Sequence, residues 1–470
     1  MIVTNANHRC TRRLMLQRSA SGLGLVALSG VLADAGFAQE LAPGRSHFAG
    51  EARQVILLFM DGGVSQVDTF DPKPRLEQEH GRPFPMPVEA TQFDAVGNTL
   101  GSPFRFQRHG QSGLPISDLF PHLSRRADEL CVIRSMRAPL AEHAQACYLM
   151  HLGAPLRGRP SLGSWVAYGL GTEASDLPGY VVLDGGLVAL GGIANYSSGF
   201  LPATDEGSLF CTDANGPIVP NIRAADRQGG DRLARFVAEG DRTFARRLGP
   251  EGIAVESAIA NFELACRMQV SVPSVADLSA EGHATRQLYG IDSANPLTAR
   301  YARQCLLARR LIERGVRFVE LTCVAGIRNV SPWDSHDNIK EHHRKNADAV
   351  DQPVAALLYD LRARGLLEST LVVWATEFGR TPFAQGNGRD HNPQGFTIWM
   401  AGAGVRGGMA YGATDEYGYH AVEDVVSVHD LHATILHLLG FDHTRLTFRY
   451  AGRDFRLTDV HGEVLHKLLV

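Results

Sequence analysis

RQVILLFMDGGVSQVDTFDPKP, residues Arg53–Pro74, decides the fold. An unbroken apolar run, Val55 to Met60, stops at a carboxylate, Asp61, and two glycines. A strand apolar on both sides suits a parallel sheet covered on both faces, and such sheets set their chemistry beyond the carboxyl ends of their strands. Gly62 and Gly63 permit a tight turn and close backbone approach, while Asp68 and Asp71 add carboxylates to the same loop. The plain alternative is a strand-to-loop turn with solvated acids.

Two further strand-like runs end in the same way. Gly315–Thr322 leads into SPWDSHDN, which delivers Asp334, His336 and Asp337. Thr370–Thr376 delivers Glu377, and GRDHNPQG then brings Asp390 and His391 ahead of a strand at Phe396–Met400. Three such loops on one sheet converge on one rim. Mixed oxygen and nitrogen donors suit a divalent cation of the zinc, manganese or iron kind, with calcium or magnesium preferred where oxygens dominate.

The remaining pattern supports an α/β fold. Ser117 is positioned to cap a helix through LFPHLSRRADEL that feeds a strand at Cys131–Arg134. Helices are expected over residues 228–270, 295–315 and 346–365, the last closed by Gly365. Residues 184–226, rich in Gly, Asn and Ser, read as a loop excursion over the rim. At 470 residues, 44% hydrophobic and 20% charged, the chain has the composition of a large globular enzyme. Its net charge of -4 and lack of a basic, aromatic-rich stripe argue against nucleic acid as a partner. Neither a dinucleotide-binding nor a P-loop glycine motif is present.

The N-terminus carries Arg12-Arg13 before an acid-free apolar stretch from Ala20 to Leu32, then small residues up to Ala38. This reads as a twin-arginine export signal over residues 1–38, followed by a linker at 39–50 and one domain at 51–470. A basic arm or uncleaved anchor is the alternative. The signal's apolar part is too short for an ordinary membrane span, and no later segment has the length for one. Export by this route implies the twin-arginine machinery as a partner, a periplasmic or extracellular workplace, and passage of an already folded chain. Of 7 cysteines, none forms a C-x-x-C pair, so structural thiolate zinc is not expected, and Cys147 reads as core.

FMDGGVSQVDTFDPKP, YLMHLGAP, WDSHDN, ATEFGRTPF, RDHNPQGFTIWMAGAGVRGG and VHDLHATILHLLG through YAGRDFRLTDVHGEV together resemble a twin-arginine-exported bacterial family of sulfatase-like proteins in the alkaline phosphatase superfamily. That resemblance spans nearly the whole chain after the signal. It implies a three-layer α/β fold, a mostly parallel central sheet with helices on both faces, and divalent metal (zinc, calcium or manganese) at the strand ends. It also implies hydrolysis of sulfate or phosphate esters on small molecules or polysaccharides. By position, Asp61 matches the first-strand metal ligand and Glu377 the later acid, while Phe378 stands where a second ligand is expected. Asp334, His336 and His391 supply another ligand set.

The expected Cys or Ser nucleophile aligns with His143 and Ala144 in APLAEHAQACYLM, and no C-x-P-S-R or S-x-P-S-R signature occurs. Three readings stay open: His143 attacks, donates a proton or binds metal; a hydroxide on the ion attacks; or the protein binds an anionic ester without cleaving it. Ser65 is a fallback nucleophile. Arg380 is read as a clamp on the ester, or else as a salt bridge in its loop. His429, His432 and His437 are expected in structural roles on a helix that Asp430 helps to cap.

Overall fold

The computed structural model describes residues 46–89, 96–212, 218–219, 240–241, 253–324 and 331–470. The signal at 1–38, most of the linker and the helical reading of 228–252, apart from residues 240–241, lie outside the described residues. Strand β1, Gln54–Phe59, is buried along its whole length, as an apolar run without alternation requires. The other strands of its nine-stranded sheet are β2 (Cys131–Arg137), β3 (Tyr180–Asp184), β4 (Ser208–Cys211), β5 (Phe318–Leu321), β6 (Thr370–Ala375), β7 (Phe396–Ala401), β8 (Met409–Tyr411) and β9 (Val426–Ser427). Their order is β8-β2-β7-β6-β1-β5-β3-β4, with β9 also on β2. Every pairing is parallel except the two made by β7.

Side chains alternate along β1 between two cores. Ile56 and Leu58 face one layer, built on helices α4 (Pro296–Glu313) and α5 (Ile339–Ala363). Val55, Leu57 and Phe59 face the other, built on α1 (His143–Leu152), α2 (Leu162–Leu170) and α6 (Val428–Leu438). Helix α3, Ile253–Ala276, extends the first layer. This is the expected three-layer α/β arrangement, with a mostly parallel sheet and helices on both faces. The sheet register continues into the site: Phe59 pairs with Ala375, so Asp61 and Glu377 leave adjacent strands at the same level.

Several local expectations need correction. Ser117 ends a strand, Leu114–Ser117, and LFPHLSRRADEL forms only a 3₁₀ segment, Leu123–Glu129. The Asp351 carboxylate, not Ser117, takes the backbone N–H groups of His122 and Leu123. Helix α5 begins at Ile339, well before Asn346, because Ile339 and His343 bury an otherwise polar first stretch. The 184–212 excursion is not all loop, since β4 extends the sheet. Helix α6 has the anticipated cap, with Ser427 and Asp430 exchanging hydrogen bonds.

Two histidines are sealed inside as neutral groups. His432 bonds the carbonyl of Met150, tying α6 to α1. His343 accepts the Ser65 N–H at Nε2 and contacts Ser335 Oγ, tying α5 to two rim loops. Burial lowers each to about 3. The folded value lies below the unfolded one, near 6.5, so their contribution is complete above pH 6.5 and is lost as pH falls toward 3. We predict that urea stability falls between pH 6.5 and 4 by up to about 1.4 kcal/mol per pH unit for each histidine. A His432→Gln variant with an undiminished slope would remove this assignment.

Candidate metal centre

The loop after β5 and the hairpin Gly379–Gln385/Gly388–Asn392 bring together Asp334, His336 and His391. Asp334 Oδ1 lies 3.0 Å from His336 Nε2, 3.4 Å from His391 Nε2 and 3.5 Å from His143 Nε2. The far nitrogens of the first pair are pinned from outside. His391 Nδ1 donates to the Ala141 carbonyl at 2.6 Å, and His336 Nδ1 meets the Gln385 side-chain oxygen. Placing both protons on Nδ1 leaves the two Nε2 atoms, 3.0 Å apart, as lone-pair donors facing inward, the tautomer that suits a cation, whereas an Nε2 proton on either ring donates to Asp334 Oδ1. Two lone pairs at that separation repel unless a cation lies near them. Burial and the nearby Arg380 charge lower His391 to about 3, so its ring is neutral and ready to ligate.

His143 occupies the middle of the rim. It starts α1, whose first amides are capped by the Glu142 carboxylate. Its Nδ1 is 2.6 Å from Glu377 Oε1. Burial opposes its charge, but Asp334 and Glu377 outweigh burial and raise it to about 9. Asp334 is held far below the usual carboxylate range: burial works against this, and the three imidazoles and Arg380 prevail. Glu377, fully buried, is likewise lowered against burial by His143 and also accepts the Gly62 N–H at 2.9 Å. Gly62 has φ +117°, and a Cβ there would lie 2.5 Å from the Asp334 nitrogen, so this position admits no side chain.

Asp61 lies behind His143, beside Glu377. Its Oδ2 accepts from Ser331 Oγ at 3.0 Å, and burial with the neighbouring Glu377 charge pushes it up to about 7. Arg380 is fully buried and points inward. It donates to the carbonyls of Gly62, Gly63 and Arg389 and to Asp334 Oδ1 at 2.6 Å. The guanidinium thus fastens the rim loops to one another. Phe378 is also buried, its ring packed 4.8 Å from that of His143 and 4.4 Å from that of His391, as a wall of the site.

The other loop acids and Ser65 are taken up by structure. Asp68 forms a fully buried two-pronged pair with Arg389 and receives Ser65 Oγ at 2.5 Å, while Asp71 pairs with Lys73. Sequence reasoning missed Gln385, which orients His336, and His343, which joins the Ser65 and Ser335 loops. Cys147 is in the core as expected, and its thiol in addition lies 3.8 Å from Asp61 Oδ1, a contact the sequence reading did not give. The available signal was its spacing four residues after His143, which puts both on one helix face.

Three ligand groups follow from these positions: His143, Asp334 and His391; His336, Asp390 and His391; and Asp61, Cys147 and Glu377. Among the described residues, no helix is long and apolar enough to cross a membrane.

Comparison with known structures finds a Pseudoalteromonas sulfatase, PsFucS1, at 12% identity, covering 90% of this chain and 72% of that one, with a TM-score of 0.35. A phosphonate monoester hydrolase from Silicibacter pomeroyi matches at 10% identity over 89% and 76%, TM-score 0.38. The C-terminal periplasmic domain of EcEptC from Escherichia coli, in complex with Zn, matches at 10% identity over 89% and 97%, TM-score 0.36. No curated protein sequence matches.

Gln385→Met should release His336 Nδ1 from its acceptor, and loss of such an outer partner weakens metal binding about 10–100-fold. Calorimetric titration with zinc checks this; unchanged affinity would mean the amide does not orient the ring. Asp68→Asn should strand the buried Arg389 charge and lower unfolding free energy by about 3–5 kcal/mol, read by urea denaturation. From Ala52 to Leu469 the sequence matches one family model, and the chain belongs to the family described as a protein of unknown function, DUF1501.

Proposed function

We propose that this chain is an exported, metal-dependent hydrolase of sulfate or phosphate esters, carried by small molecules or polysaccharides. One observation carries the reading: the Nε2 atoms of His336 and His391, held 3.0 Å apart beside the Asp334 carboxylate. Outer hydrogen bonds enforce that convergence. Asp334, His336 and His391 would hold the ion, and their nitrogen-rich donor set fits zinc or manganese better than calcium. When bound, a divalent ion supplies Lewis-acid stabilisation of charge on the ester oxygens.

The chain's own groups supply the rest. His143, charged at neutral pH and anchored through Nδ1 by Glu377, presents its Nε2 proton beside Asp334. It donates that proton to the ester oxygen as the bond to sulfur or phosphorus breaks, so the alcohol leaves neutral. Water provides the entering oxygen, and solvent restores the imidazolium. Glu377 holds negative charge behind His143, with Asp61 beside it. Arg380 acts by position, aiming Asp334 at the two rings. The second reading, an exported protein that binds an anionic ester without cleaving it, is favoured by His143 and Ala144 standing where the resemblance expects an oxygen or sulfur nucleophile. Residues 1–38 are proposed as the twin-arginine signal and 39–50 as the linker, giving a periplasmic or extracellular workplace.

Elemental analysis of protein purified without chelator, alongside Asp334→Ala/His391→Ala, tests the proposal together with turnover of aryl sulfate and phosphate esters. We expect a stoichiometric divalent ion that the double variant loses. Turnover should fall at least on the order of 10²-fold, the scale of removing one electrostatic stabiliser. A bound ion with no turnover on any ester would move the assignment to the binding protein, and the absence of an ion would overturn both metal and mechanism.

A further inference from the structure

At the opposite end of the sheet from the histidine-lined rim, α2, the loop after it and α3 enclose a cavity of about 350 Å³. Its place follows from the strand directions. Strands β1, β3 and β5 run parallel, and the rim acid Asp61 follows the carboxyl end of β1. The cavity instead touches Gly179, just before β3, whose carbonyl accepts the N–H groups of Arg317 and Phe318 where β5 begins. Ala167, Ala174, Leu177 and Leu264 give it apolar sides. Ligand cavities run from roughly 300 to 1,000 Å³, so this one suits a small molecule rather than a polymer.

Two charged residues line this cavity from different elements. Asp205 ends a 3₁₀ turn, Ala203–Asp205. Among the described residues no donor or cation meets its carboxylate, and burial alone pushes it up to about 7. An acid withdrawn from water without a partner is destabilising, and a group from outside the chain can compensate it. Arg267, on α3, uses only Nε within the fold, donating to the Ser175 carbonyl at 2.7 Å, and keeps both terminal nitrogens of its planar fork. The two charges do not answer each other, since burial is the sole cause of the Asp205 shift. Helix α3 sets their spacing. Asn261 ties it to the Asp205 turn through the Ala203 carbonyl at 3.1 Å, while Arg267 and Ser271 tie it to the loop after α2 through the Ser175 and Asp176 carbonyls. From Asn261 to Arg267 the helix rises about 9 Å.

We infer that this cavity binds a small zwitterion, an ω-amino acid whose ammonium sits on Asp205 and whose carboxylate sits on Arg267. The apolar sides receive the methylenes between the two charges. An ammonium gives Asp205 the partner that the fold withholds, and the charge-assisted hydrogen bond keeps the acid ionised. A carboxylate matches the parallel donors of the Arg267 fork. An α-amino acid, its two charges on neighbouring atoms of a short chain, cannot reach both ends. The site shares no residue with the rim, so it stands whether or not the chain cleaves esters.

Calorimetric titration of the full-length chain with ε-aminocaproate tests this, beside hexylamine, caproate and glycine, which keep the ammonium alone, the carboxylate alone, or both at too short a span. We expect a single class of site for ε-aminocaproate, with each companion binding at least about tenfold more weakly, the scale of one lost hydrogen bond to a charged group. Asp205→Asn should erase the advantage of ε-aminocaproate over caproate, and Arg267→Leu its advantage over hexylamine. Thermal melting of both variants without ligand accompanies the titrations. Asp205→Asn, relieved of an unpaired acid, should melt no lower than the wild type. Arg267 is exposed, so its variant keeps the test decisive even if the Asp205 variant misfolds. No binding of ε-aminocaproate, or an affinity unchanged in both variants, overturns the site. Hexylamine binding as tightly as ε-aminocaproate overturns the zwitterion and the role of Arg267.

Discussion

The guanidinium of Arg380 is the constraint on which the rim depends. Fully buried, it reaches the loop after β1 through Gly62 and Gly63, the loop after β5 through Asp334, and the returning hairpin strand through Arg389. A buried cation is tolerable only when its donors are met, and here the partners lie on three rim segments. Gln66 adds a reciprocal clasp, its amide accepting the Arg380 backbone N–H and donating to the Arg380 carbonyl. The desolvation of one charge is thereby converted into a fixed relation among three loops that no single strand could impose.

That relation explains why the site carries so much opposed charge. Asp334 faces Arg380, His143, His336 and His391, and Glu377 faces His143. Each imidazole is oriented by an acceptor at the nitrogen turned away from Asp334: Ala141 for His391, Gln385 for His336 and Glu377 for His143. The outer acceptors decide which nitrogen keeps a proton, and so decide which rings offer lone pairs and which one holds an acid proton. Two rings are placed where their nitrogens can serve a cation. The third, lying between two carboxylates, becomes a cation itself.

Much of this was legible in the chain. The apolar runs of β1, β5 and β6 declare buried parallel strands, and the residue that ends each run falls at the rim because a strand's carboxyl end is where its apolar requirement stops. Asp61, Asp334, His336, Glu377 and His391 were readable on that basis alone. Cys147, Gln385 and His343 were not. A buried cysteine on a helix has the same local pattern whether it faces leucine or aspartate, and only the tertiary register between β1 and α1 puts its thiol beside Asp61. Gln385 sits in a hairpin whose pairing, not its composition, delivers the amide to His336. The start of α5 was hidden for a related reason. Its first two turns are polar, and they become helical because Ile339 and His343 are buried against rim loops far away in sequence.

The inner and outer halves of the rim differ in a way that bears on what they can bind. Toward solvent, Asp334 and His336 remain partly accessible, so a group arriving from solvent can approach them. Inward, Asp61, Glu377 and Cys147 are closed off by Phe378, by α1 and by the segment around Leu190, whose backbone reaches Asp61. Donors that a substrate cannot touch contribute by fixing charge, and donors at the surface contribute by exchanging a ligand. His143 spans the boundary, bonded inward to Glu377 and directed outward to Asp334. Any change in charge at the inner donors must therefore alter how firmly that one imidazole holds the proton it presents to the outside.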